Sequence, residues 1–207
     1  TFAVFDQGEL AYAQAYGYQD KNQKHKLPVD ALMRTASTVK PITAAAIQTL
    51  AHAGALKLSD HAFCTGTNKP CWLPASLSSS ATDIRVKDIT LGQLVAHQGG
   101  FSRDVDPFGS EYLCAELNLA CPPNQETIVT YMLSQPLDFT PGDPGEVDSY
   151  SNFGYMVLGM VIERASGMSY VDYARKAVLN PIGVKNINFS AAHTLLTDRD
   201  PREPYYI

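Results

Sequence analysis

The alternation of apolar and polar positions predicts a β-hairpin at the start of the chain. Residues Phe2–Phe5 are apolar and β-prone, a turn sequence of Asp, Gln and Gly follows at 6–8, and an aromatic-rich stretch resumes at Leu10–Tyr18. A polar loop at 21–26 then separates this hairpin from the rest of the chain.

The middle of the chain has the periodicity of helices. In the first of them, which Gly54 is placed to end, apolar residues recur at helical spacing at Val39, Ile42, Ala46, Ile47 and Leu50. Further helices are predicted at Val86–Ala96, Glu126–Ser134, Phe153–Ala165 and Tyr170–Leu179. The remaining segments are predicted as turns or loops, at 64–80, 101–124, 140–145 and 193–207.

Composition narrows the class of protein. With 207 residues, 45% hydrophobic and 18% charged, the chain fits a folded domain with one sizeable core, or a core with a smaller second lobe. The net charge of −5, without a basic stripe, gives no reason to expect a nucleic acid partner. No apolar run is long enough to cross a bilayer, so no membrane span is predicted in this chain.

Four cysteines form two pairs of equal spacing, Cys64 with Cys71 and Cys114 with Cys121. Three pairings are possible, and we favour the two local disulfides because short loops with Gly, Asn or Pro can bring their ends together. Neither pair has a C-x-x-C spacing, so we predict no metal site and no cofactor. Disulfides predict a periplasmic or secreted protein, whereas the alternative is a cytosolic protein with four buried thiols.

A serine and a lysine lie three positions apart where the first helix is predicted to begin, within ASTVKP at 36–41. Serine is a poor nucleophile at neutral pH and needs a base beside it. Residues three apart share a helix face, so Ser37 and Lys40 would point the same way in a helix. A lysine acts as a base when burial or nearby positive charge lowers its pKa. Taken alone, however, a serine at this place is better interpreted as a helix cap.

A second motif, Tyr150-Ser151-Asn152, changes that interpretation. A tyrosine near a lysine loses its proton more easily than a free phenol and can act as a general base. The Asn152 amide can donate a hydrogen bond to a substrate carbonyl. The alternative for this motif alone is a tyrosine packed at a helix start, with Asn152 as the cap.

With their surroundings, the two motifs resemble the serine β-lactamase and penicillin-recognising DD-peptidase superfamily, and best its class C β-lactamase, DD-carboxypeptidase and esterase branch. The stretches that carry the resemblance are MRTASTVKPITAAAIQTL, LGQLVAHQGGF, TPGDPGEVDSYSNFGYMVLGMVIERASGMSYVDY and NPIGV. The resemblance implies an α+β, β-lactamase/transpeptidase-like fold, in which helices flank an antiparallel sheet beside a mainly helical lobe. On this chain the α/β lobe would comprise 1–60 with 160–207, and the helical lobe, with the Tyr-Ser-Asn motif, 61–159.

The resemblance also implies the roles of the site residues. Ser37 would be the acylated nucleophile, and its N–H would form half of an oxyanion hole. Lys40 would help to deprotonate it, and Tyr150 would protonate the leaving group and later activate water. Asn152 would hold the amide on the acyl side of the substrate.

The histidines are given no catalytic role. The resemblance places His97 in a stretch that is usually structural, and we interpret it as a hydrogen-bonded turn histidine. The other histidines have no evident partner pattern and are interpreted as surface or core residues, namely His25, His52, His61 and His193.

One family motif, Lys-Thr-Gly or His-x-Gly on a strand far downstream of the tyrosine, does not occur after Tyr150. That strand would belong to the sheet that the opening hairpin joins, so the sheet is expected to be incomplete, and an isolated hairpin is marginal in water. We therefore expect a longer protein, whose C-terminal part acts as a second segment or chain, and we interpret the tail at 193–207 as a loop that leads on to it.

The leading hypothesis is a serine hydrolase that forms an acyl-enzyme on small-molecule or peptide substrates: β-lactams, D-Ala-D-Ala-type peptides or esters. The alternative is a non-catalytic penicillin-binding-like protein, or an inactive fragment, that binds a ligand or partner without turnover. A third possibility is an unrelated helical interaction domain with chance motifs.

Overall fold

The computed structural model describes residues 1–66, 69–105, 107–108, 112–119, 123–187, 189 and 203–204. The chain divides into two compact units, one of Thr1–Thr38 with Ile187–Ile207 and the other of Val39–Asn186. These bounds differ from residues 60 and 160, at which the two lobes were predicted to meet, and the lobe division stays a prediction.

The first unit begins with the predicted hairpin. Strands β1 (Phe2–Asp6) and β2 (Glu9–Gln14) pair antiparallel. Gln7 and Gly8 connect them with φ angles of 48° and 86°, which fit a two-residue turn that matches the right-handed twist of the strands. Every residue of both strands is exposed, as expected for a sheet that is incomplete in this chain.

The second unit contains most of the helices and the apolar core. Its α-helices are α1 (Lys40–His52), α2 (Ala75–Ser78), α3 (Leu91–Val95), α4 (Tyr112–Leu117), α5 (Gln125–Ser134), α6 (Asn152–Ser166) and α7 (Tyr170–Ala174), and a π-helical turn, Arg175–Leu179, continues α7. Helix α6 packs against α1, α3 and α7. The large side chains buried in this unit include Ile47, Phe63, Leu94, Phe153 and Leu158. Among the described residues, no helix combines the length and apolarity needed to cross a bilayer.

Helix α6 shows how local sequence sets its ends. Ser151 is the N-cap, and its hydroxyl accepts the Gly154 N–H at 3.0 Å. Gly167 ends the helix at φ 67°, a left-handed conformation that glycine adopts without a steric cost. The predicted helix is confirmed, but the cap is Ser151 and not Asn152, which is the first helical residue.

The single helix predicted at Val86–Ala96 is wrong, because the segment forms two elements. A 3₁₀ helix at Ile84–Asp88 is followed by α3, which starts after Thr90. The Thr90 hydroxyl accepts the Gln93 N–H at 3.3 Å, and the Gln93 side chain accepts the Thr90 N–H at 2.8 Å. This reciprocal capping box starts a new helix after Thr90 and so divides the segment, although its apolar periodicity continues.

The loop predicted at 64–80 also contains regular structure. Strands β3 (His61–Phe63) and β4 (Cys71–Leu73) pair in parallel, and α2 follows them. Strands of three residues are too short to give a readable alternation. The Cys64–Cys71 disulfide confirms the first predicted pairing. Cys114 is also disulfide-bonded, while its predicted partner Cys121 lies outside the described residues.

A carboxylate joins the 3₁₀ helix Ile84–Asp88 to the chain after α5. Asp83 accepts the N–H groups of Arg85 at 3.0 Å and Leu137 at 3.1 Å, and the Arg85 guanidinium donates to it at 2.6 Å. The Asp83 side chain is only 12% exposed. The Arg85 guanidinium beside it, helped by the two N–H donors, holds the pKa of the Asp83 carboxyl well below its usual range.

We therefore expect Asp83→Asn to lower the free energy of unfolding at pH 7 by about 1–3 kcal/mol, the typical cost of disrupting hydrogen bonds to a charged group. A depressed folded-state pKa stabilises the protein above the unfolded pKa, and this contribution is lost as the pH falls. The gap between the two proteins should thus narrow below about pH 4. Urea unfolding at several pH values measures this difference in stability. The control is Asp88→Asn, which changes an exposed carboxyl of the same 3₁₀ helix. A gap that stays constant down to pH 3 would contradict the assignment.

Candidate active site

The first residues of α1 and α6 meet in a polar contact. The Lys40 Nζ donates to the Asn152 Oδ1 at 2.6 Å. The same Nζ lies 4.8 Å from the centroid of the Tyr150 ring and 5.6 Å from that of the Tyr155 ring. The structure therefore brings together three of the predicted site residues, Lys40, Tyr150 and Asn152, which we call the lysine–tyrosine cluster.

Ser37, the fourth predicted residue, belongs to the first unit. It lies in a 3₁₀ turn, Ala36–Val39, directly before α1, and it is exposed. The α-helix therefore begins at Lys40 and not at Ser37. Ala36 has a φ of 44°, a left-handed conformation that costs an alanine about 1–2 kcal/mol. Strain of this kind is often found at functional sites.

Besides Lys40, the described side chains that contact the Tyr150 ring include His97 and Arg103. The His97 ring stacks on it, with centroids 4.6 Å apart and planes at 26°. The Arg103 guanidinium carbon lies 4.9 Å from the centroid of the same ring. Asp148 holds the backbone here, because its carboxylate accepts the Tyr150 N–H at 3.2 Å and its carbonyl accepts the Arg103 N–H at 2.8 Å. The Lys40 and Arg103 side chains thus place two positive charges about 5 Å from the centroid of the Tyr150 ring.

His97 is a hydrogen-bonded turn histidine, as predicted, but it also contacts the candidate site. It follows α3 at φ 59°, and its Nδ1 lies 3.0 Å from the Ser151 backbone N, which donates to it. Burial, and next the positive charge of Lys40, lower the pKa of His97, while Asp148 acts in the opposite direction. Sequence reasoning missed the contact with Tyr150, since only the HQGG stretch marked this turn.

Tyr155 differs from Tyr150 in how its hydroxyl is used. The Tyr155 hydroxyl donates to the Val95 carbonyl oxygen at 3.0 Å, and its ring lies 4.8 Å from the His97 ring. Burial, followed by the charge of Tyr150, raises the pKa of Tyr155. The Tyr155 phenol therefore stays protonated and ties α6 to the end of α3.

The structure also contains a groove of about 540 Å³. Asp104, the residue that follows Arg103 in the chain, is one of the residues that line it. Its walls are mainly apolar, with the carboxylates of Asp104 and Asp138 at its polar positions. Asp138 also accepts the Ser102 N–H at 2.8 Å. The groove thus offers mainly apolar space, lined by Phe101, Val105 and Leu113 among others.

The other histidines lie outside the lysine–tyrosine cluster wherever the structure describes them. The exposed His25 bonds Asp20 at 3.0 Å, and His52 is exposed near the end of α1. The Nδ1 of His61 is buried and has no hydrogen-bond partner among the described residues. His193 lies outside the described residues.

Comparison with known proteins places this chain in a family. The sequence profile of the family described as Beta-lactamase matches residues 1–194. The chain belongs to the Beta-lactamase family.

This β-lactamase-family chain is similar to Penicillin-binding protein 4* of Bacillus subtilis (strain 168), with 28% identity over 184 residues, which are 89% of this chain and 36% of the relative. It superimposes on the penicillin binding protein from Bacillus halodurans with a TM-score of 0.66 and 22% identity, over 91% of this chain and 50% of that one. A D-stereospecific amidohydrolase from Streptomyces sp. gives a TM-score of 0.55 and 25% identity, over 72% of this chain and 42% of that one.

These likenesses confirm the predicted α+β, β-lactamase/transpeptidase-like fold. The β-lactamase-family chain spans about a third of the length of the curated relatives it matches. Its penicillin-binding relatives confirm the predicted superfamily, while the class C-like branch stays a prediction.

Proposed function

We propose that the protein is a serine hydrolase that works through an acyl-enzyme on Ser37. The observation that carries the proposal is the lysine–tyrosine cluster, which joins the first residues of two helices that are far apart in sequence. Lys40, Tyr150 and Asn152 were named from sequence motifs, and their side chains meet within a few ångströms. Because the chain belongs to the Beta-lactamase family, a serine three positions before this lysine is the expected nucleophile.

In acylation, the Ser37 Oγ attacks the substrate carbonyl carbon. The Oγ–carbon bond forms, and the bond from that carbon to the leaving nitrogen or oxygen breaks. Lys40 and Tyr150 take up the hydroxyl proton and return it to the leaving group through the Tyr150 phenol. In deacylation, Tyr150 takes a proton from water, the hydroxide attacks the ester carbon, and Ser37 recovers its proton as the acid product leaves.

Asn152 has an orienting role in this scheme. Its Oδ1 is the acceptor for Lys40, which fixes the plane of the amide group. The Asn152 NH₂ group is then the part of the side chain that donates to an acyl-side amide of the substrate. Positive charges around the cluster would stabilise the negative charge that develops during the reaction.

The substrates we propose are β-lactams, D-Ala-D-Ala-type peptides or esters. Two similar proteins support this range by their descriptions, which are a D-stereospecific amidohydrolase and a β-lactamase/D-alanine carboxypeptidase. The Cys64–Cys71 disulfide favours an oxidising compartment, so we propose the periplasm or the cell exterior.

The second candidate is a binding protein without turnover. It is favoured by the likeness to two proteins described as penicillin-binding proteins, a description that names binding and no turnover. Such a protein would bind a penicillin or peptide reversibly and form no ester bond to Ser37.

The test is to incubate the intact protein with a fluorescent penicillin or with an activated ester, and then to measure the protein's mass by mass spectrometry. We expect a mass increase of one acyl group, which peptide mapping places on the fragment that contains Ser37. Slow loss of the adduct with release of an acid would show turnover. Saturable binding of the fluorescent penicillin without a mass increase would support the binding protein instead.

A further inference from the structure

We propose that His97 is a positioning residue for the acid–base tyrosine, acting as a neutral imidazole that stacks on Tyr150 and accepts the Ser151 N–H. This inference rests on the proposed function, in which the Tyr150 phenol transfers protons. No part of it requires His97 to touch the substrate.

The hydrogen bond decides which form of the histidine fits. A backbone N–H only donates, so the Nδ1 that lies 3.0 Å from the Ser151 backbone N must present a lone pair. The proton of the neutral ring therefore sits on Nε2. An imidazolium would place an N–H against an N–H and break the bond. Since the Ser151 N–H belongs to the peptide that follows Tyr150, this one bond fixes the backbone between Tyr150 and Asn152.

The histidine ring is itself held in place from two sides. It stacks on Tyr150 at 4.6 Å and packs against Tyr155 at 4.8 Å. The Tyr155 hydroxyl donates to the carbonyl oxygen of Val95, the last residue of α3. The Tyr155 ring that packs against His97 is therefore fixed relative to α3. A displaced His97 would therefore release both the ring and the backbone of Tyr150.

The charges that face His97 come from every element around it. Lys40 approaches from α1, Asp148 and Tyr150 from the segment before α6, and Tyr155 from α6 itself, while Arg103 lies against Tyr150. Burial and Lys40 both keep the ring neutral at physiological pH, and Asp148 opposes them less strongly. Protonation is expected only at a pH below about 6.5, the ordinary histidine value.

Two substitutions distinguish the hydrogen bond between His97 and Ser151 from the stacking of His97 on Tyr150. In His97→Asn, the side-chain oxygen can still accept the Ser151 N–H, asparagine tolerates the positive φ, and nothing titrates. In His97→Phe, a ring remains to stack, but the acceptor is lost. The matched control is His52→Asn, which changes an exposed histidine near the end of α1.

We expect His97→Phe to lower kcat for hydrolysis of an activated ester by about 10²-fold with little change in KM, the effect of a misplaced catalytic group. His97→Asn should keep kcat within about tenfold of the wild type at pH 8 and should lack the acid-side decline that we expect of the wild type as His97 protonates. His52→Asn should match the wild-type profile. Thermal unfolding of each variant identifies one that simply fails to fold.

An acid-side profile in His97→Asn identical to that of the wild type, or an unchanged kcat in His97→Phe, would overturn the proposal. Nitrogen-15 NMR of histidine-labelled protein tests it without activity, because the neutral Nε2–H tautomer and its loss on acidification are read directly. If no adduct forms on Ser37 while NMR shows this tautomer, the function fails and the His97–Ser151 bond stands. An Nδ1–H tautomer would refute the bond whatever the activity.

Discussion

Replacing Ser37 by alanine is expected to abolish covalent labelling by a penicillin or an activated ester. The substitution removes the oxygen that forms the acyl bond in the proposed reaction. In serine hydrolases such a loss lowers turnover by on the order of 10⁶-fold. Intact-mass spectrometry of the variant after prolonged incubation measures the adduct, and ester hydrolysis measures turnover.

Thr38→Ala is the control for Ser37→Ala. Thr38 lies in the same 3₁₀ turn, and its hydroxyl donates to the Thr35 carbonyl at 2.5 Å, so Thr38→Ala removes a structural bond but should keep the adduct. Ser151 is only 7% exposed and is occupied as the cap of α6, which makes it a poor nucleophile. An adduct of wild-type yield in Ser37→Ala would show that the nucleophile is elsewhere.

The helices could be predicted where the apolar periodicity agrees with the residues that begin and end a helix. Helix α6 has an apolar face, a serine at its N-cap and a glycine after its last residue, and its observed bounds lie close to the predicted ones. The helix predicted across Thr90 failed because apolar residues keep helical spacing on both sides of the break. The break itself depends on two side-chain hydrogen bonds that no hydrophobic pattern records.

The candidate site, like the helices, could be predicted from the sequence only in part. Motifs pointed to Lys40, Tyr150 and Asn152, because reacting groups need particular residue types at particular spacings. The contacts of His97 and Tyr155 with this cluster could not be predicted, since ring stacking depends on how α3 and α6 pack. The hydrophobic pattern predicts each helix separately but does not specify their mutual orientation.

Tyr150 and Tyr155 form a natural pair for the second experiment, because both rings contact His97 and both lie near Lys40. Tyr150→Phe keeps the ring that His97 and Arg103 pack against and removes only the hydroxyl. We expect acyl transfer to slow by about 10²-fold to 10⁴-fold, the usual contribution of a general acid–base group. The unfolding temperature should change little.

Tyr155→Phe, in contrast, is expected to lower the stability of the protein while changing its acylation rate little. It removes the hydrogen bond to the Val95 carbonyl oxygen and should cost about 1 kcal/mol of unfolding free energy. Its acylation rate should fall by less than about tenfold, because the Tyr155 phenol transfers no proton in the proposed reaction. Stopped-flow acylation and urea unfolding of both variants give the comparison. Equal losses of rate in the two would mean that the Tyr150 hydroxyl contributes no more to the reaction than the Tyr155 hydroxyl, and the acid–base role of Tyr150 would have to be abandoned.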